Sequence, residues 1–168
     1  MIKKLLIAVI MVACIPAFGF AQKFGVVNTQ SLIESMPEMT SARTQLEASS
    51  KKYDEEYKSL LENLQKSVAD YQKIENDANT PQSIKDRRVA DIQGMQQKIE
   101  EFRNTAQTDL EKQQQQLMAP IQQKLIDAVK AVGAEENFTM VFENVMPVYI
   151  GADVVDITPK VKTRLGIK

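Results

Sequence analysis

The sequence predicts a mostly α-helical protein with a small β part: a long antiparallel helical hairpin projecting from a small α/β base. Three observations lead there. Two long stretches dominated by good helix formers carry apolar residues at steps of three and four, and a polar turn separates them. Short β-type runs lie at both ends of the chain instead of in the middle. A basic and apolar leader precedes all of this and has to be set aside before the fold is argued.

The leader is read first. Lys3 and Lys4 open the chain, Leu5 to Cys14 is unbroken apolar sequence, and Gly19 and Ala21 are small residues at −3 and −1 of a cut before Gln22. That is the layout of a secretory signal peptide over residues 1–21, and its apolar part is short of the roughly 20 residues a membrane span needs. A lipoprotein-type cut before Cys14 is the competing reading. It fits less well, because Met11 occupies −3 and the apolar run continues past the cysteine. Cleavage at Gln22 leaves 147 of the 168 residues and removes the only cysteine. It also takes two of the 21 basic residues and none of the 22 acidic ones, so the mature chain carries a formal charge of −3. A nucleic-acid-binding domain would carry a basic excess.

Lys23 to Asn28 reads as a short strand with Phe24 and Val26 on one face, and Asn28 or Thr29 can cap a short helix around Ser31 to Met36. Pro37 then suits the first turn of a new helix. Glu38 to Glu75 contains neither Gly nor Pro, and Leu46, Tyr53, Tyr57, Leu60, Leu64, Val68 and Tyr71 form one stripe along it. These 38 residues make an arm about 57 Å long. Asn76 to Pro81 supplies turn chemistry, with Thr80 as an expected cap and Pro81 at the first helical position. The second helix runs from about Pro81 to Val132 along Ile84, Ile92, Met95, Ile99, Phe102, Ala106, Leu110, Leu117, Ile121 and Leu125. Pro120 lies inside it, where a proline removes a hydrogen bond and crowds the preceding turn, so a kink is expected near Gln116 to Pro120. Gly133 is the expected stop. Phe138 to Glu143 reads as a strand with Phe138, Met140 and Phe142 on one face, followed by a second strand at Val148-Tyr149-Ile150 in a hairpin or near-hairpin. Thr158 is expected to cap a short last helix with Pro159 at its first position.

The domain reading is therefore a base of residues 22–37 and 120–168, and an arm of residues 38–119 whose tip lies near 76–82. So few strands cannot cover their own apolar face and edges, and oligomerisation through the base is the simplest remedy. Phe24, Val26, Phe138, Met140, Phe142, Tyr149 and Ile150 are the candidate base core and subunit interface.

The chemistry of catalysis is thin. The chain has no histidine, the mature chain has no cysteine, and its glycines do not follow the spacing of a phosphate-binding loop. Its carboxylates fall on solvated helix faces, which do not separate the pKa values of a catalytic pair. No enzyme, cofactor or metal is expected.

The order Gly25-Val26-Val27-Asn28, Ser31-Leu32, a long polar hairpin, Pro120 to Leu125, Phe138 to Phe142, Tyr149 and Asp156-Ile157-Thr158 resembles the Skp, or OmpH-like, family of periplasmic chaperones. The resemblance covers nearly the whole mature chain. It implies a Gram-negative periplasm and a jellyfish-shaped homotrimer held by an intersubunit β-barrel of the terminal strands. Three hairpins would enclose unfolded outer-membrane β-barrel proteins without ATP, cofactor or catalytic residue. Met39, Tyr53, Tyr57, Tyr71, Met95 and Phe102 are then candidate client contacts, against the plainer expectation that rings and methionines at helical spacing pack between the arms. At the tip, Asp77, Asn79, Pro81, Lys85, Arg87 and Arg88 form a solvated turn, with weak membrane-surface contact as the lesser reading. The best-known members of the family are strongly basic; this chain is not, and no lipopolysaccharide site is carried over. The rival reading is an exported coiled-coil spacer or adaptor that bridges envelope partners.

Overall fold

The computed structural model describes residues 22–145 and 147–167. The expected signal peptide lies outside them. Among the described residues the elements run β1 (Phe24–Val27), α1 (Thr29–Ser35), α2 (Pro37–Glu75), α3 (Gln82–Glu135), β2 (Met140–Glu143), β3 (Val155–Asp156) and α4 (Thr158–Arg164). The protein is mostly helical with one small sheet.

Asn28 starts α1: its side-chain oxygen accepts the Ser31 N–H at 2.8 Å, satisfying one of the donors that a helix start leaves free. After Met36 the chain turns into α2, with Pro37 at its start and Glu38 in its first turn, where a carboxylate suits the helix dipole. At 39 residues α2 is about 58 Å long, and the 54 residues of α3 span about 80 Å. They run antiparallel. Glu38 pairs with Lys124, Tyr53 meets Phe102, and Lys85 donates to the Glu75 carbonyl at 2.8 Å beside the turn. The stretch of α3 beyond the arm returns into the base.

The helix stays unbroken through Pro120. The proline and Gln116, whose carbonyl loses its partner, are both exposed, so water can take the place of the missing donor.

Gly133 does not stop α3. The helix ends at Glu135, and Asn137 takes the left-handed turn at φ 56°. Asn137 N–H donates to Ala134 O at 3.2 Å and Phe138 N–H to Gly133 O at 2.9 Å, the paired bonds of a Schellman motif. Gly133 lies inside the last turn, and Asn, which tolerates this conformation better than other residues bearing a Cβ, closes the helix.

The sheet order is β2-β1-β3, with both neighbours parallel to β1. This corrects two expectations. Val148-Tyr149-Ile150 forms no strand, and the third strand is Val155–Asp156. No hairpin joins β2 to its successor, because β1 lies between them. Parallel pairing follows from the connection: α3 brings the chain back so that β2 starts beside the start of β1, Phe24 opposite Met140 and Val27 opposite Glu143.

One face of the sheet packs on the helices. Val27, Leu32, Leu125, Ala128, Val132, Ile157 and Val161 form the base core, with Phe138 and Val141 packed against it. Leu32, Ile157 and Val161 are at most 1% exposed, and each such side chain contributes about 1.5–3 kcal/mol by leaving water. A second cluster, the neck cluster, packs Met36 and Ala42 at the start of α2 against Ile121 of α3.

Two expected caps have other duties. Thr80 Oγ1 donates to Asp77 Oδ2 at 2.8 Å and leaves the start of α3 without a side-chain cap. Thr158 is the first residue of α4, and its hydroxyl accepts the Asn28 N–H at 2.9 Å, tying α4 to the end of β1. The Thr158 N–H is met by Asp156 Oδ1 at 2.9 Å instead.

Candidate functional site

Three surfaces carry the residues singled out from the sequence: the open face of the sheet, the seam between the arms, and the tip.

In β1, Phe24 and Val26 point away from the helices. In a parallel ladder, partners at one register share a face, so Met140 and Phe142 of β2 stand beside them. The Phe24 and Phe142 rings lie 6.2 Å apart at 37°. The face is open on its β2 side, where Met140 is 52% exposed and Phe142 47%, while Val26 at its centre is buried at 6%. Phe138 does not join them. The Schellman turn holds it ahead of the strand, where its ring lies within about 3.2 Å of where a Cβ on Gly25 would sit, and Lys23 Nζ stands 4.1 Å from its centroid. Val141 takes the inward position that the alternation gave to Phe138, Met140 and Phe142. Tyr149, 84% exposed, and Ile150 belong to an irregular segment after β2 and are not part of the subunit's core.

On the arm, Met39 packs against the neck cluster and not outward. Tyr53 and Phe102 meet edge to face across the seam at 6.0 Å. Tyr53 Oη also donates to Asp109 Oδ2 at 3.1 Å, a bond that raises the phenol's pKa above its ordinary value. Next to this contact the seam opens. A groove of about 690 Å³ is lined there by the small residues Ser50 and Ala106 together with Leu46, Tyr53, Tyr57, Phe102 and Leu110. Nearer the tip, Met95, Leu60 and Ile99 line a smaller recess of about 350 Å³. Tyr71, closer still to the turn, is half-buried and lines neither of these hollows. The structure thus brings Tyr53, Tyr57 and Phe102 together and keeps Met39, Tyr71 and Met95 apart from them.

The tip is a hydrogen-bonded turn. Asp77 Oδ1 accepts the Asn79 N–H at 3.0 Å, which with the Thr80 bond holds the Asp77 carboxyl below the usual aspartate range. Asn79, Pro81, Arg87 and Arg88 are exposed, while Lys85 folds back on Glu75.

One polar cluster was not legible in advance. Glu136, at the end of α3, accepts from Lys160 Nζ at 2.5 Å and from Lys23 Nζ at 3.2 Å. These bonds, the Lys160 one first, hold its carboxyl below the ordinary glutamate value. Glu135 accepts from Arg164 at 2.6 Å. The cluster joins the leading end of β1, the end of α3 and α4. Its partners are far apart in sequence, and no local pattern marks them. Among the described residues no group of His, Cys, Asp and Glu could hold a metal ion, and no helix is long and apolar enough to cross a membrane.

The geometry is one that comparison with known proteins can place. The family model described as outer membrane protein (OmpH-like) matches residues 23–165. The chain belongs to the OmpH-like family. A member named chaperone protein Skp, from Pectobacterium atrosepticum, is 30% identical over 142 residues, which is 84% of each chain. The fold is also similar to the crystal structure of a Caulobacter crescentus protein assigned as an outer membrane chaperone (OmpH-like), with a TM-score of 0.74 over 86% of this chain and 83% of that one. At 12% identity that likeness shows the fold alone. These names make the family one of outer membrane chaperones, not of enzymes.

Proposed function

We propose that the protein is an ATP-independent holdase of the periplasm that keeps unfolded outer-membrane β-barrel proteins soluble before insertion, working as a homotrimer. The observation that carries the proposal is the combination of a sheet face whose β2 side leaves Met140 and Phe142 about half exposed with a long paired arm whose seam opens into an apolar groove. The sheet face supplies the means of assembly. Met140 and Phe142 are about half exposed in the subunit, and burying such side chains against other copies yields on the order of 1 kcal/mol each. The arms supply the holding surface. Their outer faces are polar, so several of them set around a cavity confine an apolar chain through many weak contacts. Weak contacts also permit release without fuel once the client can insert elsewhere.

The spacer reading needs an exposed docking patch at the tip. The tip carries a solvated polar turn and the exposed Arg87 and Arg88 instead, which favours the holdase.

Aggregation provides the test. A urea-unfolded outer-membrane β-barrel protein is diluted into buffer with and without the mature chain, and light scattering is followed. Suppression at a small molar excess is the expected result. Scattering unchanged by the protein overturns the proposal.

A further inference from the structure

The groove in the middle of the arm has a charge pattern that its apolar floor does not explain. Glu47, Asp54 and Glu111 line it along with a single cation, Arg103. Arg103 is already engaged, its Nη2 lying 3.1 Å from Glu100. None of the three acids forms an ion pair among the described residues, and all three are exposed. An apolar trough is therefore edged by unneutralised negative charge on both helices. Its volume, about 690 Å³, falls within the range of sites that bind compact ligands.

We propose that this groove docks one kind of segment: an extended apolar stretch of an unfolded chain flanked by lysine or arginine. The apolar residues would lie on Tyr57, Phe102 and Leu110 and lose water, and the flanking cations would reach Glu47, Asp54 and Glu111. The inference rests on the holdase reading and adds a preference to it. Confinement alone is indifferent to the flanks, whereas this groove favours cationic ones and repels acidic ones. Exposed charge pairs are individually weak, so three of them give a preference of about five-fold at low salt, fading as salt rises.

The test uses the mature chain and three fluorescent peptides, followed by anisotropy. Two share an apolar aromatic core and differ in Lys or Glu flanks; the third keeps the Lys flanks around a Gly/Ser core. The Lys-flanked apolar peptide is expected to bind about five-fold tighter than the Glu-flanked one in low salt. The difference should disappear in high salt and in the variant E47Q/D54N/E111Q, which changes only exposed helix positions. The Gly/Ser peptide should bind at least several-fold more weakly than the Lys-flanked apolar one. Equal binding of the two apolar peptides, a preference that survives in the triple variant, or a Gly/Ser peptide that binds as well as the apolar one each overturns the proposal. Aggregation suppression, measured on the same preparation, separates the two levels. If the protein holds unfolded client but shows no flank preference, the groove inference alone fails. If it holds no client, the holdase reading fails as well.

Discussion

Gly25 lies in the middle strand of the sheet, and replacing it with alanine sets two effects against each other. An alanine in a strand normally gains about 0.5–1 kcal/mol over glycine, because the unfolded chain has less freedom to lose. Here the added Cβ would stand 3.1 and 3.2 Å from two ring carbons of Phe138 and 3.4 Å from Ile157 Cγ2. Neither neighbour yields easily. Ile157 is 0% exposed, and Phe138 is held between the core and Lys23. Overpacking of this kind costs about 1–3 kcal/mol, so Gly25→Ala is expected to destabilise by a net ~1 kcal/mol. Gly94→Ala is the matched control. It sits inside α3 with nothing within 4 Å of the added methyl, and should stabilise by about 0.5–1 kcal/mol. Urea unfolding followed by far-UV circular dichroism measures both, at one fixed protein concentration so that any self-association enters both variants equally. With slopes of roughly 1–3 kcal/mol/M, the midpoint should fall by about 0.5 M for G25A and rise by somewhat less for G94A. A G25A midpoint at or above wild type would refute the close packing of β1 on Phe138.

Three further outcomes follow from the same geometry. Asn137→Ala places an ordinary side chain at φ 56° and should cost about 1 kcal/mol in the same assay, whereas Asn137→Gly should be neutral or better. For Glu136 the folded carboxyl is held below its ordinary value of 4.5, so its contribution is complete above that pH and is lost as pH falls through the lower folded value. Glu136→Gln should therefore be less stable than wild type at pH 7, and the gap should close on acidification below about 4.5; a gap independent of pH contradicts the ion cluster. Phe142→Asp places a charge at a position 47% exposed and outside the base core cluster, losing within the subunit its ring contact with Phe24. It should lower the solution mass while the circular dichroism spectrum stays helical, and an unchanged mass would argue against that face as the interface.

The helical part of the fold was legible because its signal is local and long. A stripe repeated over many turns, ended by Asn, Asp and Pro, leaves few alternatives. The sheet was less so. Alternation at Phe138, Met140 and Phe142 is a true period-two pattern, yet Asn137 turns the chain just before it, and the inward residue becomes Val141. Strand length adds to the difficulty: β3 has two residues, and its place beside β1 depends on the Ile157 N–H reaching Val26 O at 2.9 Å, a contact across the whole arm in sequence. The run Val148-Tyr149-Ile150 has strong β propensity but no strand partner among the described residues. In the arm, the aromatic residues could be placed on the seam, but the groove is lined from both helices, and their pairing register is not written in either helix alone.

The measurement that bears most directly on the central claim is the solution mass of residues 22–168, alone and mixed with a urea-unfolded outer-membrane β-barrel protein, by light scattering after size exclusion. The account predicts a trimer that takes up one client as a soluble complex. A monomer or dimer that leaves the client to aggregate would contradict it.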